Sequence, residues 1–166
     1  MFYRIHQFIR TIMPRIKPAD VEWATKHLSS AAAELFLRQS KAEQRHAIDV
    51  AKSIIKASYP LSYLDYQNLI SAALLHDCGK SVVSIRLWQR VYIVLMHKAP
   101  KPLWSILEKG PSFFSFPLKI YTRHSLWSEY LARKSGMNSI VCHLIREHHS
   151  PNTDLGRILK QADDTH

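Results

Sequence analysis

The stretch Leu74-Leu75-His76-Asp77-Cys78-Gly79-Lys80 decides the interpretation of this sequence. It ends a segment that starts near Leu69, in which apolar residues recur three, four and seven positions apart. This spacing predicts a helix with one buried face. His76 and Asp77 continue the same spacing, so both side chains are predicted to emerge from the buried side of their helix.

Helical signals recur along the rest of the chain. Ser40 and Glu43 have the spacing of a capping box, which opens a helix running to about Ala57. Asp65 is predicted to cap the helix that carries the His-Asp pair, and Gly79 to end it. The other helices are predicted at residues 18–27, 31–37, 124–135, 139–149 and 154–164. With only 4 glycines in 166 residues, a turn-rich β fold is excluded, and we predict an all-α helical bundle.

The length of the chain fits a single domain. We predict an N-terminal helical extension over residues 1–39, packed on the core, and a main domain over residues 40–166 with an insertion at 81–123. The insertion is rich in proline and aromatic residues. Its aromatics are expected to pack within the fold, with a substrate pocket or a membrane-facing surface as alternatives: Trp88, Tyr92, Trp104, Phe113, Phe114, Phe116 and Tyr121.

The chain is basic, with 23 Lys and Arg against 13 Asp and Glu, a net charge of +10. This charge favours anionic partners such as phosphorylated metabolites, nucleic acid or an anionic membrane, although a basic solubility surface is the more ordinary explanation of net charge alone. The two cysteines do not form a disulfide framework. Residues 1–17 lack the features of a secretory signal. We therefore predict a cytoplasmic protein.

Several of the ten histidines fall on predicted buried faces. His46, His124 and His148 each extend the apolar stripe of their own helix, and Asp163 does so better than Asp164 in the last helix. Isolated buried charges are costly, and a shared metal ion offsets that cost. Mixed imidazole and carboxylate ligands suit Fe, Mn, Co, Ni or Zn better than Ca. For His124, a hydrogen-bonded core residue remains an equal alternative.

Residues 74–80 resemble the signature of the HD superfamily of metal-dependent phosphohydrolases, in the HDIG-like variant that ends in Gly and Lys. The resemblance extends over residues 40 to 165. His46 resembles the histidine of the first helix of the family, and His124 resembles the histidine that opens the helix after the pair. Residues 145–149 resemble a double-histidine segment, and residues 158–163 the final helix with its aspartate.

The resemblance implies two metal ions that share the carboxylate of Asp77. His46, His76 and Asp163 would complete the first site, with His124 and His148 at the second. His149 is a further candidate ligand or a contact to substrate. The ions would be divalent transition metals, Fe or Mn first, with Co, Ni, Zn or Mg as other options. Lys80 would reach a substrate phosphate, although a cation that stabilises the helix C-terminus is an equal reading.

The predicted function is that of a phosphohydrolase, in which metal-activated water attacks a nucleotide or another small phosphoester. Asp77 and Lys80 are the predicted catalytic residues, and the activity is that of a phosphomonoesterase or a phosphodiesterase. The Gly-Tyr-Pro motif of cyclic-di-GMP phosphodiesterases is absent after His149. The expected partner is a small phosphorylated anion, with no stable nucleic acid and with peripheral membrane contact as a weaker option. Arg45, Arg123 and Arg146 adjoin proposed ligands and are further candidates for phosphate binding.

Two other functions fit the same residues. Some HD-fold proteins with this ligand order resemble di-iron oxygenases, which cleave C–C or C–P bonds with dioxygen. The domain could also be a non-catalytic module that binds a nucleotide or a membrane-associated partner, an alternative suggested by the basic N-terminus and the aromatic insertion. Metal identity and sensitivity to oxygen separate the first alternative from hydrolysis. Loss of turnover in Asp77→Ala separates the second.

Overall fold

A computed structural model describes residues 16–82, 87–96 and 99–166. The parts of the predicted N-terminal extension and insertion at residues 1–15, 83–86 and 97–98 lie outside the described residues. The described residues contain no β-strand, so the all-α prediction is confirmed. Their helices are α1 (Pro18–Lys26), α2 (Ser30–Leu37), α3 (Lys41–Ala57), α4 (Tyr63–Leu75), a 3₁₀ helix (Cys78–Val82), α5 (Leu87–Met96), α6 (Lys101–Lys109), α7 (Ser112–Lys134), α8 (Ser139–Glu147) and α9 (Asp154–Asp164).

Side-chain caps define several helix starts. The predicted capping box at α3 is present, because the Ser40 hydroxyl accepts from the backbone N–H of Glu43 while the Glu43 carboxylate accepts from that of Ser40. The predicted cap of α4 is wrong by three residues. Ser62, not Asp65, is the N-cap, and its hydroxyl accepts from the backbone N–H of Asp65 at 3.1 Å. Asp65 instead supplies a carboxylate in the first turn, where the helix dipole stabilises a negative charge.

The end of α4 also differs from the prediction. The helix ends at Leu75, and the chain continues into the 3₁₀ helix that contains Gly79. Among the described glycines only Gly136 has a positive φ (82°), so Gly79 does not serve as a left-handed helix end. A Cβ at Gly79 would lie 2.2 Å from the carbonyl oxygen of His124 and 2.6 Å from the backbone nitrogen of Ser128. Gly79 is therefore needed for close approach of this turn to α7.

Helix α7 is longer than predicted. It begins at Ser112 rather than at His124, and Pro117 lies within it near its start. The predicted end is confirmed, because the helix stops at Lys134 and Gly136 turns the chain. His124 thus stands in the middle of a continuous helix. Its position there fixes the direction of its side chain more tightly than a place at a helix end would.

The core lies between α1 to α4, α8 and α9, and α7 packs along the 3₁₀ helix and α8. Ala24 of α1 and Phe36 of α2 belong to the same buried cluster as the residues of α3 and α4. The Gln39 side chain donates to the carbonyl of Leu74 at 2.9 Å, which holds the last turn of α4 beside the connection from α2 to α3. The proposed domain boundary between residues 39 and 40 stays a prediction.

The aromatic residues of the insertion are only partly packed. Tyr92, Trp104 and Tyr121 are half-buried. Four other rings are exposed, so the prediction of core packing is wrong for Trp88, Phe113, Phe114 and Phe116. Helices α5 and α6 both pack on α7, and within the described part of the chain these four rings remain at the surface of that packing.

Candidate metal centre

Five elements bring the predicted site residues to one place. His76 and Asp77 follow the last residue of α4, and His124 projects from the middle of α7. His148 caps the end of α8 with His149 next to it, and His46 and Asp163 stand on α3 and α9. All seven residues predicted as ligands are therefore brought together; whether each one binds metal stays a prediction.

The first group of possible ligands comprises His46, His76 and Asp163. Oδ1 of Asp163 lies 2.8 Å from Nε2 of His46 and 3.5 Å from Nε2 of His76. Asp163 was predicted to face inward better than Asp164. The structure agrees, because the Asp163 side chain is 18% exposed and that of Asp164 is 61% exposed. Asp164 faces water and pairs with Lys160.

The second group comprises His124, His148 and His149, whose nearest ring nitrogens lie within 4.8 Å of one another. Nε2 of His149 lies 2.9 Å from Nε2 of His124. His124 and His148 are buried, whereas His149 is exposed. Both ring nitrogens of His124 have a partner, the carbonyl oxygen of Tyr121 and Nε2 of His149, so the core-residue alternative and the ligand role both stay predictions.

Asp77 lies between the two groups. Its Oδ1 is 3.3 Å from Nε2 of His124, and its Oδ2 is 3.7 Å from Nε2 of His76. The carboxylate is buried, and Oδ1 makes no hydrogen bond in the described structure. One carboxylate thus offers one oxygen to each group, which is the arrangement expected of a bridging ligand.

Three histidines are held with the same nitrogen toward the site. Nδ1 of His76 lies 2.8 Å from the carbonyl oxygen of Ala73, three residues earlier, and the same bond recurs in two other histidines: His124 with Tyr121 at 2.5 Å and His148 with Ile145 at 2.6 Å. A carbonyl oxygen only accepts, so Nδ1 must carry the proton. Nε2 is then directed inward, as in metal-binding histidines whose other nitrogen donates to a carbonyl.

The donor atoms fit a metal ion. Nε2 of His76 and of His148 are buried and make no hydrogen bond in the described structure, an arrangement that is costly unless a ligand is present. Two nitrogens bound to one ion at tetrahedral or octahedral angles lie about 3 Å apart. The separations of 2.8 to 3.7 Å at Asp163, Asp77 and His124 are close to that value.

The charges around the first group also favour a cation. Burial acts to lower the pKa of His76, but the carboxylates of Asp77 and Asp163 outweigh it and raise that pKa to about 9. Burial acts to raise the pKa of Asp163, but its hydrogen bond with His46 and the nearby charge of His76 hold it far below the usual value. At His148 burial prevails and lowers the pKa to about 2, so this imidazole is neutral and able to bind metal.

Lys80 lies inside the site rather than at its edge. Its Nζ donates to Oδ2 of Asp77 at 2.6 Å, while its side chain is 26% exposed. Burial acts to lower the pKa of Lys80, but Asp77 outweighs it, so the amine stays charged. Lys80 therefore occupies the oxygen that Asp77 would offer to a metal of the first group. This contact fits both the phosphate-binding role and a cation at the helix C-terminus, so both stay predictions.

The arginines that adjoin site residues in sequence point elsewhere. Arg45 pairs with Asp20 and Asp49, and Arg146 pairs with Glu129 at 2.8 Å. Arg123 is exposed. The expectation that Arg45 or Arg146 binds phosphate stays a prediction, and in this arrangement each guanidinium already pairs with a carboxylate. Lys80 is the predicted phosphate-binding residue that contacts the site.

One supporting residue was not predicted from the sequence. Glu147 is buried, and its carboxylate accepts from the backbone N–H of Asn152 at 2.9 Å and from the Thr153 hydroxyl at 2.5 Å. The Thr153 hydroxyl in turn accepts a hydrogen bond from the backbone N–H of Gly156 and so caps the start of α9. Glu147 thus fixes the connection between His148 and the helix that carries Asp163. The only sign of this role in the sequence is that an acidic residue immediately precedes the double histidine.

Comparison with known families identifies the fold. The model of the HD domain family matches residues 44–166, most of the chain. The chain belongs to the HD domain family. HD domains are generally metal-dependent phosphohydrolases and bind divalent metals, which agrees with the two groups of donors around Asp77. Comparisons with curated proteins and with solved structures gave no match. The HD domain assignment therefore rests on the family model and on the geometry of the site.

Proposed function

We propose that this HD domain is a phosphohydrolase that acts on a nucleotide or another small phosphoester with two divalent transition-metal ions. One observation carries the proposal: the buried carboxylate of Asp77 separates two groups of imidazoles, and its free Oδ1 faces the second group. Metal ions bound there would polarise a phosphoryl oxygen and lower the pKa of bound water. Iron or manganese suits the mixed nitrogen and oxygen donors.

The residues of the chain contribute position and charge. His76, His124 and His148 are oriented by backbone carbonyls, so they need little reorganisation to present Nε2. Asp77 and Asp163 supply the negative charge that offsets a buried cation. If Asp77 turns from Lys80 toward a metal, the ammonium of Lys80 is released within the site. It is then placed to bind a phosphate oxygen of the substrate.

Lys80→Ala tests the role of this lysine. We expect kcat/KM for the better of p-nitrophenyl phosphate and bis(p-nitrophenyl) phosphate to fall by roughly 10- to 100-fold, since a hydrogen bond to a charged group contributes about 1.5–3 kcal/mol. Metal affinity should be unchanged or higher, because Lys80 no longer competes for Asp77. Lys80→Arg should recover part of the activity. Equal activity in wild type and Lys80→Ala would leave the lysine with a structural role only.

Metal content tests the second group. Elemental analysis of protein purified without oxygen or added metal should give about two transition-metal ions per chain. His124→Ala and His148→Ala should each lower that content by about one ion, because each removes a ligand of the second group only. His143→Ala is the matched control: it lies on α8 near His148 but is exposed, and it contacts Asn152 and Glu147 rather than a predicted ligand. Metal content unchanged in both site variants would refute a second metal site.

Turnover separates hydrolysis from the di-iron alternative. The hydrolase proposal predicts phosphate release from one of the two nitrophenyl substrates without dioxygen, and the same rate with manganese as with iron. An iron-loaded protein that consumes dioxygen and releases no phosphate from either ester would refute it. The preference between monoester and diester then decides whether the protein is a phosphomonoesterase or a phosphodiesterase.

A further inference from the structure

Exposed apolar side chains are concentrated in the insertion at residues 81–123. Of the fourteen large hydrophobic side chains exposed in the described part of the chain, eight belong to it: Val82, Trp88, Leu95, Leu103, Ile106, Phe113, Phe114 and Phe116. The insertion is about a quarter of the chain. Singly exposed hydrophobic residues are ordinary, but a concentration of this kind marks an interaction surface.

Ring contacts join part of this set into one surface. Trp88 stacks on Phe113 with ring centres 4.5 Å apart, Phe113 meets Phe114 edge-on at 5.1 Å, and Phe114 lies 6.1 Å from Tyr92. Leu95 extends it, because residues 88, 92 and 95 lie on one face of α5. We call these five residues the aromatic surface. It combines the start of α7 with the face of α5 that meets it.

The charge of the insertion is strongly positive. Residues 81–123 contain seven basic residues and one acidic residue, a net charge of +6 of the chain's +10. The single acid, Glu108, accepts a hydrogen bond from the Thr122 hydroxyl at 3.2 Å. Lys109 and Arg123 are exposed. A segment that combines exposed aromatic and aliphatic side chains with a basic excess has the composition that binds the interface of an anionic membrane.

We propose that the aromatic surface docks on an anionic lipid surface. Charge favours this partner over a second copy of the chain, because a symmetric dimer through this surface would bring two insertions of charge +6 together. No helix within the described residues is both long and apolar enough to cross a bilayer, and the proposed contact is peripheral.

The surface and the metal centre share one helix. Phe114 and His124 are ten residues apart on α7, which places them about 15 Å apart along its axis. Side chains of the aromatic surface would enter the interface only by about 5–10 Å. With the axis of α7 steep to the membrane plane, the metal centre would thus stay above the bilayer while the domain is docked.

Vesicle co-sedimentation of the full chain tests this proposal. Wild type should bind vesicles of phosphatidylcholine mixed with phosphatidylserine, bind pure phosphatidylcholine weakly, and lose binding as salt is raised. Trp88→Ser/Phe113→Ser should lower the partition coefficient at least about tenfold, since it removes two apolar side chains from the contact. Tyr63→Ser is the matched control: it removes an aromatic side chain that is 82% exposed outside the insertion, and binding should not change.

Two measurements keep the result unambiguous. Metal content and thermal unfolding of the double variant should match wild type, which shows that a loss of binding is not a loss of fold. Analytical ultracentrifugation of wild type should give a monomer. No binding to anionic vesicles, or equal binding by wild type and double variant, would overturn the proposal. A dimer that the double variant abolishes, without vesicle binding, would instead identify the aromatic surface as a self-association interface.

Discussion

Asp77→Asn is expected to lower metal content in both groups and to lower kcat/KM by roughly 10³-fold, which corresponds to about 4 kcal/mol of lost transition-state stabilisation. The reason is its position, since one oxygen faces His76 and the other faces His124. The amide keeps the shape of the side chain but loses the negative charge and one acceptor. Elemental analysis and the two nitrophenyl phosphate assays measure the effects.

Asp164→Asn is the matched control for this substitution. Asp164 adjoins a predicted ligand, as Asp77 does, but its carboxylate is exposed and pairs with Lys160. Its replacement should leave metal content and activity unchanged. Asp77→Asn also leaves the half-buried ammonium of Lys80 without its carboxylate, so far-UV circular dichroism must show that the variant folds. A folded Asp77→Asn protein that retains two metal ions would contradict the bridging role.

Gly79→Ala is expected to destabilise the fold by about 3 kcal/mol, the upper part of the usual range for overpacking. The added Cβ would lie 2.2 Å from the carbonyl oxygen of His124 and 2.6 Å from the nitrogen of Ser128. Both atoms are backbone of α7, so a rotamer change cannot relieve the contact. At roughly 2–4 °C per kcal/mol, Tm should fall by roughly 6–12 °C.

The same substitution should also weaken metal binding. Gly79 donates to the Ser128 hydroxyl at 2.7 Å and holds the turn after Asp77 against α7, where His124 stands. Moving the two elements apart separates Asp77 from the second group. Gly110→Ala is the control, because a Cβ there meets nothing closer than 3.4 Å and φ is −76°. If the Gly79→Ala protein were as stable as the Gly110→Ala protein, α7 would be able to shift and accommodate the added Cβ, which would contradict this prediction.

The sequence predicted much of the site because helical periodicity fixes the direction of each side chain about its own helix. His76 and Asp77 continue the buried stripe of α4, and Asp163 rather than Asp164 continues that of α9, as the structure confirms. The capping box at Ser40 and Glu43 was also predicted correctly from the sequence, because it depends only on residues close together in the chain. The family resemblance supplied the pairing of ligands into two groups, which no single helix shows.

Errors in the sequence-based predictions fall where local signals compete. Asp and Ser are both favourable N-cap residues, and the N-cap of α4 is Ser62 rather than Asp65. The helix of His124 was predicted to begin at that residue, yet α7 begins at Ser112 and runs through Pro117. The exposed rings of the insertion look like core residues in sequence, since periodicity identifies an apolar face without showing whether anything covers it.

By itself, the sequence determined the all-helical fold, the helices outside the insertion and the inward faces of the predicted ligands. It did so because these properties depend on residues within a few positions of one another. Only the tertiary structure decided that Asp77 lies between two histidine groups, that Gly79 must lack a side chain, and that the aromatic surface is uncovered. Each of these depends on the distance between separate helices, and that distance is set by how the helices pack together.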